Sequence, residues 1–248
     1  MSQRWLTALP VYNEAPYVER VLDQVRHYSP DVLVVDDGSR DDTPRLLAAR
    51  RDIHMVRHPR NLGYGAALRT AFQYAIRHQY DCMVTIDCDG QHEPQRIPQF
   101  AAACGGVDIV SGSRYLEQFA GDSQPPPQRR WINQHLTAEL NRRLGLQITD
   151  AFCGFKAYRV AALRELELTE DGYGMPLELW VQAACFGLKI VERPVPLIYL
   201  DDTRSFGGAL DDATHRLDYY RDLLARSMAA TSCRAARVSF SACGDGAG

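Results

Sequence analysis

No apolar run in this chain of 248 residues approaches the eighteen or so needed to cross a membrane as a helix. The stretch from Met1 to Leu6 also lacks the basic and apolar regions of a secretory signal, so a cytoplasmic protein without a membrane span is expected. Excess charge is missing too: 28 Lys and Arg against 31 Asp and Glu leave a net charge of -3, which gives no electrostatic footprint for nucleic acid. Any anion must be held locally. The seven cysteines, Cys82, Cys88, Cys104, Cys153, Cys185, Cys233 and Cys243, include no C-x-x-C pair and no histidine at zinc spacing. They read as reduced thiols, mostly small core residues. There is no internal repeat, and no G-x-G-x-x-G follows the first apolar run, which argues against a dinucleotide oxidoreductase.

What is present suffices for one large domain, with 46 % hydrophobic, 24 % charged and 9 % aromatic residues. Over the first 113 residues short apolar runs alternate with helical periodicity, the pattern of an α/β fold in which helices cover a mostly parallel sheet. Strands are expected at 5–11, 32–35, 53–56, 82–86 and 107–110. Val18, Val21, Leu22 and Val25 form one helix stripe, and Leu68, Ala71, Phe72, Ala75 and Ile76 form another.

From Leu116 the pattern changes. Pro125, Pro126 and Pro127 make 121–128 a loop or lid. A helix over 128–144 carries Ile132, Leu136, Leu140 and Leu144 beside Arg129, Arg130, Arg142 and Arg143. A second helix, 177–186, is apolar almost all round and therefore expected to be buried. Lys189 to Pro196 reads as an edge strand, because Pro194 and Pro196 lack ladder donors. Leu217, Tyr220 and Leu224 mark a last helix. Residues 229–248, rich in Ala, Ser and Gly, are expected to be a disordered tail.

Acidic residues sit where strands stop: Glu14 after the first, Asp36 and Asp37 after the second, Asp87 and Asp89 after the fourth. In an open parallel sheet these ends share the ligand-binding edge, so all five carboxylates are expected in one crevice. Two such charges 4 Å apart repel by about 4 kcal/mol at an effective dielectric of 20, and a cation relieves that repulsion. Asp87-Cys88-Asp89, with Gln91 and His92 following, suits Mg²⁺ or Mn²⁺ whose shell is completed by water and diphosphate oxygens, although D-x-D is also an ordinary solvated turn. Arg114 closes the fifth strand on the same edge, where a phosphate oxygen could lie.

Five ordered motifs carry a resemblance over residues 4–226: Leu9-Pro10-Val11-Tyr12-Asn13-Glu14, Val34-Val35-Asp36-Asp37-Gly38-Ser39, Asn61-Leu62-Gly63-Tyr64-Gly65, Ile86-Asp87-Cys88-Asp89-Gly90-Gln91-His92 and Gly112-Ser113-Arg114. The chain resembles family 2 glycosyltransferases, in the branch that includes dolichol-phosphate mannose synthase. That resemblance implies a Rossmann-like GT-A fold in a single domain over 1–226, a nucleotide-sugar-binding half at 1–113 and a partly helical acceptor-side half at 114–226. It implies inverting transfer of a hexose from a nucleotide-diphosphate sugar such as GDP-mannose or UDP-glucose.

By the same resemblance Pro10, Tyr12, Glu14, Val35 and Asp37 would cradle the donor nucleoside. Asp87, Asp89 and Gln91 would form the metal and diphosphate site. Thr149 to Lys156 resembles the segment lining the acceptor site. Arg129 matches an arginine of the polyprenol-phosphate mannosyltransferases, and Asn133 stands where these carry a serine. Arg204 to Gly208 resembles a basic loop closing over the diphosphate, but Ala209 and Leu210 occupy the positions where a lysine is expected.

With a polyprenyl phosphate acceptor, Arg129 and Arg114 would position an anion and no base is required. With a glycan hydroxyl, a carboxylate must take the proton, Asp150 first and Glu178 second. Residues 128–146 hold four arginines against the single acid Glu139, with Trp131 nearby, and could rest on anionic headgroups at the inner face of a membrane. A non-catalytic nucleotide-sugar-binding module is the alternative of another class. A sugar-1-phosphate nucleotidyltransferase would need a glycine-rich loop with arginine after the first strand, and 9–14 is not that.

Overall fold

The computed structural model describes residues 3–200 and 208–242, with side chains in the last helix described as far as Thr231. Seven strands form one sheet: β1 Trp5–Val11, β2 Asp31–Asp36, β3 His54–Arg57, β4 Cys82–Thr85, β5 Ile109–Ser113, β6 Lys156–Arg159 and β7 Ile190–Pro194. Their order is β3-β2-β1-β4-β6-β5-β7. β1 pairs in parallel with β2 and β4, and β2 with β3, so the chain runs outward from β1 in one direction and returns to β4 on its other side. That reversal of strand order opens a crevice beyond the carboxyl ends of β1 and β4.

The sequence pattern did not anticipate β6. It runs antiparallel between β4 and β5 and separates two strands that had seemed consecutive. Its four residues, Lys-Ala-Tyr-Arg, supply no apolar run, yet the first three are buried. β7 pairs only with β5, in parallel, which makes it the edge strand expected from its prolines.

Helices cover both faces. On one side α1 Val18–Tyr28 buries Val18, Val21, Leu22 and Val25 as its spacing required, and joins α4 Ile97–Ala103 over Leu9, Val11, Val32 and Val34. Between them along the chain lie the short α2 Thr43–Ala48 and α3 Tyr64–Arg77. The opposite face, with Leu6, Ala8, Leu33 and Val35, is covered by α3, α5 Pro127–Leu144, α7 Met175–Cys185 and α8 Ala213–Ala242. A four-residue α6, Val160–Leu163, follows β6. Strands buried on both faces explain the near-continuous apolar runs of the amino-terminal half.

The proline segment is a loop, as its sequence requires, and it is pinned. Ser123 N–H donates to the Leu197 carbonyl at 2.7 Å, and Leu197 N–H donates to Asp122 at 2.9 Å. Of the tail expected to be disordered, 229–248, residues 229–242 continue α8, and 243–248 lie outside the described residues. Alanine has the highest helix propensity, and five of the fourteen residues 229–242 are alanine. Among the described cysteines Cys82, Cys88, Cys104 and Cys153 are buried thiols and Cys185 is exposed; the side chain of Cys233, and Cys243 altogether, lie outside the described residues. No described helix is long and apolar enough to cross a membrane.

Candidate active site

The turn after β1 begins with Asn13 in the left-handed region at φ 55°, a conformation that asparagine tolerates. Its N–H donates to Ser39 at 2.9 Å and its Oδ1 accepts the Arg40 N–H at 2.8 Å, stitching the ends of β1 and β2 together. Pro10, Tyr12, Glu14 and Asp37 thereby line a cavity of about 580 Å³ that also reaches Tyr64, Asp87 and Asp89. Tyr12 is 38 % exposed, so an aromatic face is available at the rim.

Four of the five expected carboxylates converge there. Asp36 does not: it is buried, accepts the Ser39 N–H at 2.9 Å and pairs with Arg57 at 3.0 Å. Val35 also departs from its expected place, because its side chain lies in the core under α3 rather than in the cavity. Strand alternation, fixed by the register with β1, sends it inward. Asp37 has a second function that its sequence position concealed. It accepts the N–H groups of Leu62 and Gly63 at 2.9 and 2.8 Å and meets His58 Nδ1 at 2.6 Å, which fastens the loop leading into α3.

Asp87 and Asp89 stand on the border between this cavity and a second one of about 240 Å³. Tyr64 donates to Asp87 at 3.2 Å, and His92 Nε2 lies 3.2 Å from the other carboxylate oxygen. Burial works against the Asp87 charge, but His92, Tyr64 and the Lys156 ammonium outweigh it and hold the carboxyl below its ordinary value. Gly154 is necessary to this seat, since a Cβ there would fall 2.1 Å from Asp87 Oδ2. Two hard carboxylates on the wall of an open cavity, with the Gln91 amide beside them, fit Mg²⁺ or Mn²⁺. Among the described residues no three His, Cys, Asp or Glu side chains form a metal-holding group, so a cation here would need ligands from substrate or water.

The second cavity is lined by Gln91, Arg114, Arg129, Asn133 and Arg216 with Tyr115, Tyr173, Tyr199 and Tyr220. Arg114 forms two bonds to Asp150, Nε at 2.7 Å and the terminal nitrogen at 2.9 Å. Asn133 donates to the same carboxylate at 2.8 Å and Phe152 N–H at 3.1 Å. Burial alone would raise the Asp150 pKa, yet the Arg114 charge and these hydrogen bonds drive it far below the usual carboxylate range.

Asp150, expected as a proton acceptor, is engaged by Arg114, Asn133 and Phe152 N–H, and these bonds favour its charged form and fix the direction of the Arg114 guanidinium. Arg129 donates to the Tyr199 hydroxyl at 3.0 Å and holds its position on the cavity wall. Arg204 lies outside the described residues.

Glu178, the second candidate base, is engaged in the same way. It accepts the N–H groups of Thr169 and Glu170, each at 2.8 Å, and the Thr169 hydroxyl at 2.9 Å. It is a buried clamp on the loop before α7, and it lines neither cavity. Glu178→Gln is expected to lose about 1–3 kcal/mol of stability with the turnover number unchanged, as read by denaturant unfolding and steady-state kinetics. A hundredfold fall in rate at wild-type stability would contradict this.

The sequence model of Glycosyl transferase family 2 matches residues 7–167. An undecaprenyl-phosphate mannosyltransferase of Micrococcus luteus is 31 % identical over 223 residues, covering 85 % of this chain and 90 % of that one. A polyprenol monophosphomannose synthase of Mycolicibacterium smegmatis is 32 % identical over 206 residues, 78 % of this chain and 77 % of that one. Among solved structures, glucosyl-3-phosphoglycerate synthase from Mycobacterium tuberculosis superposes with a TM-score of 0.68 at 20 % identity, covering 93 % of this chain and 80 % of that one. The architecture is the GT-A fold.

Proposed function

Because the chain belongs to glycosyl transferase family 2, we propose that it moves a hexose, with inversion, from a nucleotide-diphosphate sugar to a polyprenyl phosphate. The observation that carries this reading is the shared wall. A nucleotide-sized cavity and an arginine-lined cavity meet at Asp87 and Asp89, so an activated sugar bound in the first presents its anomeric carbon toward the second.

Asp87, Asp89 and Gln91 would hold the divalent cation, which when bound neutralises the diphosphate leaving group. Tyr12 offers its ring to the base, and Glu14 and Asp37 offer acceptors to base and ribose. Arg114, aimed by Asp150, and Arg129 orient the acceptor phosphate. A lipid phosphate is already an anion near neutral pH, so its oxygen attacks without losing a proton. The pairing of Asp150 with Arg114, and the three arginines on the wall of this cavity, favour this acceptor over a glycan hydroxyl.

Trp131 is 46 % exposed on α5 and Leu116 is 42 % exposed nearby in sequence. With Arg129 and Arg130 they support peripheral contact with the cytoplasmic face of a membrane, from which the lipid is presented.

Arg129→Ala is expected to raise KM for polyprenyl phosphate about tenfold or more while KM for the donor changes less than threefold. Radiolabelled transfer from GDP-mannose and UDP-glucose, each with Mn²⁺ or Mg²⁺, reads both constants. A change confined to the donor constant, or wild-type transfer to a glycan but not to the lipid phosphate, would reject the proposal.

A further inference from the structure

Asp150, Phe152 and Gly154 belong to one short segment that reaches both cavities. At one end Asp150 holds the Arg114 guanidinium at 2.7 and 2.9 Å. At the other, Gly154 lies so close to Asp87 that a Cβ would fall 2.1 Å from its Oδ2. The arginine of the second cavity and the carboxylate of the border are thus joined through residues 150–154.

The backbone of this segment is pinned. The Ala151 carbonyl accepts the Trp180 indole N–H at 2.9 Å, the Gly154 carbonyl accepts the Thr85 hydroxyl at 2.8 Å, and the Cys153 carbonyl accepts the Lys156 ammonium. Ala151 and Cys153 are completely buried. Phe152, between them, is half-buried, packs on Tyr220 with ring centroids 5.2 Å apart, and lines both cavities on the border that Asp87 and Asp89 also occupy.

An activated sugar bound across that border meets two nucleophiles, the acceptor's phosphate oxygen and water. In the second case the water oxygen bonds to the anomeric carbon, and the bond from that carbon to the diphosphate breaks. The electron pair leaves with the nucleotide diphosphate, and the proton passes to solvent. A cavity of about 580 Å³ has room for water, so productive transfer requires the reacting carbon to be kept dry. A phenyl ring on a fixed backbone has no hydrogen-bonding atom to hold water there, and it offers an apolar surface to the C–H face of a hexose.

We propose that Phe152 packs against the transferred hexose and shields its anomeric carbon from water, so that this side chain sets the ratio of transfer to hydrolysis. This rests on reading the border of the two cavities as the place of transfer. Phe152 is then a specificity residue, selecting the nucleophile rather than the nucleotide.

The test follows radiolabelled GDP-mannose and UDP-glucose with the full chain, Mn²⁺ or Mg²⁺, and farnesyl phosphate as acceptor. Free hexose and lipid-linked hexose are counted for wild type, Phe152→Ala and Phe152→Leu. Phe152→Ala is expected to raise the ratio of hydrolysis to transfer about tenfold or more. Phe152→Leu, which keeps most of the apolar volume, should stay within about threefold of wild type. Affinities for GDP and UDP should change less than about twofold, since the ring is placed against the sugar and not the nucleotide.

An unchanged ratio in Phe152→Ala, whether both rates hold or fall together, would overturn the inference and leave the proposed function standing. So would a rise in Phe152→Leu as large as that in Phe152→Ala, because apolar volume would then not be what excludes water. Wild type that releases free hexose faster than it forms the lipid-linked product would also overturn it. Wild type that consumes neither donor by either route would remove the proposed function, and the inference with it.

Discussion

Asp89→Asn is expected to lower the rate of sugar transfer by about 10²–10³-fold, the cost of deleting one preorganised group that stabilises a developing charge. The substitution keeps the volume and the acceptor oxygen, so the bond from Gln91 N–H to Asp89, 2.9 Å, can persist and the turn after β4 should survive. What disappears is a negative charge on the border of both cavities, where a cation and a diphosphate would meet. The melting temperature should stay within a few degrees of wild type, and the metal concentration for half-maximal rate should rise. Full transfer activity in the variant would remove Asp89 from the mechanism and, with it, the cation from this site.

The second large effect lies at Asp150. It is fully buried and accepts bonds from Arg114, Asn133 and Phe152, so Asp150→Asn strands the Arg114 guanidinium, whose side chain is only 20 % exposed. Breaking a buried pair from one side costs about 3–5 kcal/mol. Activity should fall as well, because Arg114 loses the fork that aims it into the cavity.

The loss has a pH signature. The folded Asp150 carboxyl titrates below its unfolded value of about 3.9, so its stabilisation is complete above that value and is lost as pH falls toward the depressed folded value. The gap in stability between wild type and Asp150→Asn should therefore be constant from about pH 6 to 8 and shrink below about pH 4, in urea titrations across that range. A gap that persists unchanged into acid would mean that the pair contributes packing rather than charge.

Much of this was legible before any coordinates. Asp87 and Asp89 could be paired with Glu14 and Asp37 because each closes a short apolar run, and parallel strands must deliver their carboxyl ends to one edge. The same reasoning failed for Asp36, and the side chain of Val35, which the resemblance assigned to the donor site, lies in the core. Adjacent residues on a strand face opposite ways, and only the pairing with β1 decides which way each faces. Asp150 and Glu178 were both singled out as candidate bases, but the partners that each has in the structure lie too far along the chain to be read from spacing. A buried carboxylate needs partners, and neither Arg114, 36 residues away, nor the Thr169 loop can be paired with it by spacing. Arg216 left no signal at all, being one arginine on an amphipathic helix.

By itself, then, the sequence determined the alternation of strands and helices, the placing of acids at strand ends and the family to which the motifs belong, because these depend on local periodicity and on residues close along the chain. Only the tertiary structure decided that β6 inserts antiparallel between β4 and β5, that Asp150 pairs with Arg114, and that α8 brings Arg216 to the cavity. Those outcomes are fixed by contacts between distant segments, whose energies come from burial and charge pairing that no local pattern encodes.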